Sequence, residues 1–146
     1  MLNFISSQAL SYPNYSDWVY NVCRTDLDAG YKKAYMAWHS GCIVGDLVFQ
    51  PDKYLPRTLE LKNLRIHPDF RRRALGYFLI KQVEADARGV FDQLIIDADS
   101  KQKDIHHLLT FSGFQVLTKQ HLYAEDNLDY IFVKSLTKPG TGLWTP

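Results

Sequence analysis

Between Thr58 and Ile80 the hydrophobic pattern changes period, and that change limits this chain to few architectures. TLELKNLRIH, Thr58 to His67, alternates as a strand does. Leu59, Leu61, Asn63 and Arg65 fall on one face and Glu60, Lys62, Leu64 and Ile66 on the other. Pro68 cannot continue a ladder. From about Arg73 the apolar residues Leu75, Phe78, Leu79 and Val83 recur at helical spacing, up to a stop near Gly89. QLIID, Gln93 to Asp97, is then a short apolar run of the kind buried on both faces. A strand, a crossover helix and a second strand predict a parallel pair inside a larger sheet.

The remaining segments extend that unit. Ser16 or Asp17 is placed to cap a helix running to Asp28, with Trp18, Val22 and Leu27 as its apolar side and Gly30 as its stop. Tyr31 to His39 and Cys42 to Gln50 read as a hairpin turning at Ser40-Gly41, and Pro51 to Pro56 as a loop. Asp99 or Ser100 is placed to cap a second helix, with Ile105, Leu108 and Leu109 inward and Gly113 as its end. Gln115 to Thr118 and Asp129 to Val133 complete the strands, joined through HLYAEDN. The order predicts an α/β chain (α+β, a mixed sheet) with about six strands flanked by helices. One domain is expected over residues 1–136, with an irregular tail over 137–146 anchored only by Trp144.

Composition removes several functions. Charged residues make up 23% and the net charge is +1, so no broad pull toward nucleic acid exists and any positive field must be local. Two cysteines, Cys23 and Cys42, do not make a disulfide framework and read as reduced thiols. CxxC and HExxH spacings do not occur, and the adjacent His106 and His107 point apart on a helix, so no metal site is expected. The chain has neither a run of about 18 apolar residues nor a basic leader followed by an apolar core. A cytoplasmic protein without a membrane partner is the expectation.

The local positive field sits at the change of period. Arg71, Arg72 and Arg73 stand where the strand hands over to the helix. A helix N-terminus offers free N–H groups and a partial positive charge, and a loop turning into it is an anion site. Gly76 leaves room for a ligand to approach the first turn. The alternative is a solvated basic turn with no ligand.

LRIHPDFRRRALGYFLI resembles the signature region of the GNAT superfamily of acyl-CoA-dependent N-acyltransferases, a hydrophobic strand followed by Arg/Gln-x-x-Gly-x-Gly/Ala. Here that motif is Arg71, Arg72, Arg73, Ala74, Leu75 and Gly76, with Ala74 at the first glycine position. GCIVGDLVF, QLIIDAD and LLTFSGF resemble the preceding strand, the next strand and the helix ending in Gly113-Phe114, so the likeness runs from about Tyr31 to Val133. The resemblance implies acetyl-CoA as co-substrate. Backbone groups of Leu64, Arg65 and Ile66 would hold the pantetheine arm. The segment Arg71, Arg72, Arg73, Ala74, Leu75, Gly76 and Tyr77 would hold the pyrophosphate end. It also implies a cleft where the signature strand splays from the next, and an acceptor side left open by a short opening helix.

For chemistry the resemblance points to Glu60 as a base, matching a catalytic glutamate of some members. The other reading is a surface carboxylate paired with Lys62 or Arg57. The family's usual acid, a tyrosine four residues before the Gly-Phe, is Leu109 here. Tyr123, His107 or water are the substitutes, and thiolate departure without an acid is a further option. Lys101 and Lys103, beside Asp99, are either contacts to the 3′-phosphate or solvated lysines. Neither cysteine falls in the signature loop, so direct attack without a covalent enzyme intermediate is expected. The acceptor is an amine-bearing small molecule or peptide, with Glu125, Asp126 and Asp129 hinting at a cation. A homodimer through the last strands is left open. So is a fold of this kind that holds acyl-CoA without efficient catalysis.

Overall fold

Six alternating segments assemble into one sheet in the computed structural model, which describes residues 1–8 and 13–137. The strands are β1 (Lys33–His39), β2 (Cys42–Pro51), β3 (Thr58–Ile66), β4 (Gln93–Asp99), β5 (Gln115–Ala124) and β6 (Asn127–Ser135). Their order is β1-β2-β3-β4-β6-β5, and β3–β4 is the parallel pair among antiparallel neighbours. Ser40 (φ 48°) and Gly41 (φ 79°) both adopt positive φ at the first hairpin, the turn whose twist matches paired strands.

The helices lie on both faces. α4 (Leu75–Ala87) and α5 (Lys103–Phe111) cover one face, where Leu79, Ile80, Val83 and Leu109 pack on Leu47, Leu61, Leu94, Ile96 and Phe132. On the other lie α1 (Leu2–Ser7) and a helical run made of α2 (Tyr15–Asp17), a π-helical turn (Trp18–Cys23) and α3 (Arg24–Asp28). Ile5, Tyr15, Val19 and Cys23 pack there on Val48.

The parallel pairing of β3 and β4 is short. It runs from Thr58 opposite Gln93 to Leu61 opposite Ile96 and stops there. The cause lies on the other side of β3. In the β2–β3 ladder Phe49 faces Leu61 and Val48 faces Asn63, so Lys62 is an extra residue. A bulge bends the strand that carries it and ends regular pairing.

This bulge overturns the simple alternation expected for Thr58 to His67. Leu59 and Leu61 join the core under α4, and so do Leu64 and Ile66. Arg65 instead reaches Ile5 and Tyr15 in the α1–α3 layer. The extra residue exchanges the faces midway along the strand.

Other expectations shift for local reasons. Asn14, in left-handed conformation (φ 56°), precedes the helical run, so Ser16 and Asp17 lie inside it and cap nothing. Val22 is exposed, while Val19 and Cys23 point inward, because the π turn rotates the apolar side. Phe78 faces solvent, and Gly76 and Ile80 take its place on the inner side of α4. Gln102 precedes α5 without a side-chain cap, whereas Asp99 Oδ1 accepts the Lys101 N–H at 2.8 Å before the helix starts. HLYA, expected in a loop, continues β5, leaving Glu125-Asp126 as the turn. The tail with Trp144 lies outside the described residues beyond Thr137.

Candidate active site

Where β3 leaves β4, a cleft of about 1190 Å³ opens between β3, the N-terminus of α4 and α5. Leu64, Arg65 and Ile66 form one wall, Arg71, Arg72, Ala74, Leu75, Gly76 and Tyr77 one end, and Leu108 and Phe111 the far side. Nine of the ten residues expected to hold the cofactor therefore meet in one cavity. The tenth, Arg73, is not among the lining residues; its guanidinium lies 5.2 Å from the centre of the Phe70 ring.

The loop into α4 is built for an anion. Pro68–Phe70 makes one 3₁₀ turn, with Asp69 N–H donating to the His67 ring. Arg71 is extended and its Nε donates to the Ile66 carbonyl at 3.1 Å, pinning the turn against β3. Arg72 and Ala74 both have φ 59°. Alternating left-handed residues turn successive N–H groups to the same side and form a concavity for negative oxygen. No side chain caps α4, so the first-turn N–H groups stay open to a ligand.

Gly76 fixes how tight the cleft floor is. A Cβ there would stand 2.8 Å from Leu108 Cδ2 and 3.9 Å from side-chain atoms of Leu64 and Ile66. The absent side chain lets α4 approach α5 and leaves the apolar wall bare. Lys101, Lys103 and His107 border the same cavity, so the cation-rich rim has more members than the arginine run. A donor-lined, cationic end joined to an apolar trough fits a long ligand with phosphates at one end.

The two residues expected to do chemistry lie outside this cavity. Glu60 accepts from Lys62 Nζ at 2.8 Å and from Gln50 Nε2 at 2.9 Å, a half-buried pairing that the sequence left as one of two readings. Arg57 pairs with Asp92 instead. Tyr123 is on β5 and its hydroxyl donates to Asp97 Oδ2 at 3.0 Å. Leu109, at the position of the family's tyrosine, is fully buried in the core under α4.

Asp97 was missed by sequence reading. Burial pushes its carboxyl up, the charges of Glu60 and Asp129 add to the rise, and Lys62 and the Tyr123 hydroxyl oppose it. Its only sequence signal was position, one residue beyond the apolar core of QLIID. Asp129 is also buried and shifted up by burial, with one oxygen accepting the Leu122 N–H at 3.3 Å. Cys23 is buried, which pushes its thiol up to about 11, and Cys42 is exposed at the start of β2. Among the described residues no three His, Cys, Asp or Glu side chains gather around a metal position, and no helix is long and apolar enough to cross a membrane.

Comparison with known proteins agrees with this geometry. Among curated proteins no relative matches the chain. A GNAT-family protein from Desulfovibrio desulfuricans superposes with a TM-score of 0.80 at 16% identity, covering 93% of this chain and 90% of that one. The ribosomal-protein-S18-alanine N-acetyltransferase of Escherichia coli gives 0.71 at 18% identity, covering 97% and 90%. A GNAT-family acetyltransferase from Elizabethkingia anophelis, solved with acetyl-CoA bound, gives 0.64 at 17% identity over 79% and 83%. The model of the acetyltransferase (GNAT) family matches residues 3–114, and the chain belongs to that family.

Proposed function

We propose that this protein moves an acetyl group from acetyl-CoA to an amine acceptor, a small molecule or a peptide, by direct attack. The observation that carries the reading is the parting of β3 and β4 after Leu61 and Ile96, beside an uncapped helix N-terminus. Beyond Leu61 the β4-facing edge of β3 has no strand beside it, so an extended amide-bearing arm can lie along it. Bound there, acetyl-CoA supplies an activated acyl thioester. Leu64 and Ile66 flank the arm, and the N–H groups from Arg71 to Gly76, with Arg71 and Arg72, neutralise its pyrophosphate. Arg73, Leu75 and Tyr77 complete this end, Arg73 by way of Phe70.

Proton transfer then falls to polar groups on the other side of the parting. Glu60 and Tyr123 border it, and Tyr123 is the hydroxyl able to protonate a departing thiolate in place of the absent tyrosine at Leu109. Buried Cys23 and remote Cys42 offer no nucleophile for an acyl-enzyme.

The test is calorimetric titration of acetyl-CoA into the protein and into Gly76→Trp, followed by release of free CoA thiol across a series of amines. Binding abolished by the substitution and thiol release with an amine are expected. Absence of binding to either protein would sink the reading. Binding without thiol release from any amine would favour a carrier of acyl-CoA over an enzyme, as the loss of the tyrosine at Leu109 allows.

A further inference from the structure

We propose that Asp97, not Glu60, receives the acceptor amine, holding it as an ammonium and taking the proton it must lose before attack. The inference rests on the acetyltransferase reading above and adds to it the group that meets the acceptor.

Place is the first argument. Asp97 is the first residue of β4 past the last parallel pair, Leu61 with Ile96. On its other edge it still pairs with Ile131 of β6, so its backbone is held while its β3 side is open. Leu94, Ile96 and Ala98 point into the core under α4 and α5. Alternation therefore puts Asp97 on the opposite face of the sheet, at the mouth of the parting. An amine arriving from that face meets this carboxylate where the acyl end of the trough would emerge.

Free valence is the second. Both oxygens of Glu60 are engaged, one by Lys62 Nζ at 2.8 Å and one by Gln50 Nε2 at 2.9 Å. Lys62 also cancels its charge. Asp97 uses Oδ2 for the Tyr123 hydroxyl, and among the described residues none donates a hydrogen bond to Oδ1. That oxygen is not sealed in the interior either. An ammonium placed on Oδ1 completes the carboxylate without displacing anything.

Charge is the third. The titratable groups facing Asp97 are Lys62 and Glu60 from β3, Tyr123 from β5 and Asp129 from β6. With Lys62 paired to Glu60, the balance left around Asp97 is negative, as a cationic acceptor requires. Burial first, then its acidic neighbours, raise its carboxyl, and a stronger base near an amine takes a proton more readily.

The balance of the step is simple. The ammonium gives one proton to Asp97. The nitrogen lone pair forms the N–C bond, the C–S bond breaks and its electron pair leaves with sulfur. Tyr123 gives the sulfur its proton and is repaid by the second proton from nitrogen. The net products are an amide, a thiol and one proton released from Asp97. Glu60 is then a positioning residue that fixes Lys62.

The test compares Asp97→Asn with Glu60→Gln, using acetyl-CoA and 1,4-diaminobutane, with carboxyl-carbon NMR of the CoA complex as a readout independent of turnover. Asp97→Asn is expected to bind acetyl-CoA as the parent does, to lose roughly 10²–10⁴-fold in kcat, and to lose the acid limb of its kcat/KM profile. Glu60→Gln should lose less, chiefly through KM. In the NMR titration Asp97 should titrate above an ordinary aspartate, and the diamine should bring its pKa down. The inference is overturned if the diamine moves the Glu60 signal and leaves Asp97 in place, or if Glu60→Gln abolishes turnover while Asp97→Asn stays within a few-fold. Loss of acetyl-CoA binding by the parent protein would instead overturn the acetyltransferase reading, and the NMR titration on the free protein would still decide for or against Asp97.

Discussion

Ala74 occupies a backbone position that an L residue adopts reluctantly. Its φ is 59°, in the left-handed region, where the Cβ crowds the following carbonyl at a cost of about 1–2 kcal/mol. The signature's glycine at this position is thus explained by conformation as well as by space. The alanine keeps the N–H groups of the concavity but pays for the geometry. Ala74→Gly is expected to raise stability by about 0.5–1 kcal/mol, since the relief of strain exceeds the extra freedom of the unfolded chain. Acetyl-CoA should bind it at least as tightly, because the pyrophosphate end gains room. Urea midpoints and calorimetry of the two proteins check both halves. A lower midpoint would mean the left-handed turn carries no strain. Gly76 differs: it is not among the positive-φ residues, and a side chain there would have to displace the tip of Leu108, so the residue serves close packing between α4 and α5.

At the scale of elements, the join between α4 and β6 carries a buried charge cluster. Glu84 accepts from Lys134 at 2.7 Å, Arg88 at 2.8 Å and Lys81 at 2.9 Å, and Lys134 also donates to the Ser112 carbonyl at 2.6 Å. Burial alone would raise the Glu84 carboxyl, but the three donors overcome it and hold it at about 2. Because the folded value lies below the usual 4.5, the stabilisation is present above pH 4.5 and is lost as pH falls toward 2. Glu84→Gln takes the paired carboxylate away from half-buried Lys134 and should cost about 2–4 kcal/mol at pH 7. The difference from the parent should shrink steadily in denaturant titrations below pH 4.5. A difference that holds constant to pH 2 would show that packing, not charge, sets the cost. Lys81 and Arg88 lie one helical turn from Glu84, but the Lys134 link was not visible in the chain, since Glu84 and Lys134 are fifty positions apart. What was visible were the elements with strong local period: five of the six strands within a few residues and both crossover helices. The misses share a cause. The bulge at Lys62, the π turn at Trp18–Cys23 and the continuation of β5 through Tyr123 are set by neighbouring elements, and period alone cannot register them. The cationic end of the cavity was therefore legible, because helix N-termini and arginines announce themselves locally. The cluster proposed to meet the acceptor was not, because Asp97, Tyr123 and Glu60 meet only through the register of four strands.

The molecule as a whole has two apolar cores divided by the sheet, and Arg65 connects them. The residue borders the cleft, while its side chain, flipped by the bulge, passes into the α1–α3 layer. There Nη1 donates to the carbonyls of Ile5 and Gln8 and to the Tyr15 hydroxyl, the guanidinium lies 5.1 Å from the Tyr15 ring centre, and Nε stands 3.9 Å from Asp46 Oδ1. Asp46 is fully buried, and burial pushes its carboxyl up to about 7 from the usual 3.8. The folded protein therefore loses stability from this group as pH rises from 3.8 to 7; the charge of the Met1 ammonium opposes the rise, and the Arg65 guanidinium stands nearest the ionised carboxylate above pH 7. Removing the Arg65 guanidinium takes the nearest cation from a buried charge, which costs up to about 3–5 kcal/mol where the charge exists. Arg65→Leu is accordingly expected to lose most at pH 8 and clearly less at pH 5.5, where Asp46 carries its proton. The loss should also be local. In hydrogen exchange, the amides of residues 2–8 and 15–28 should lose protection first, with those of α4 unchanged, because this side chain bonds Ile5, Gln8 and Tyr15 of the helical layer to β3. An equal loss at both pH values would remove Asp46 from the account. Parallel loss of protection in α4 would show that the two cores fold and open as one, so that the layer of α1 to α3 cannot loosen without that of α4.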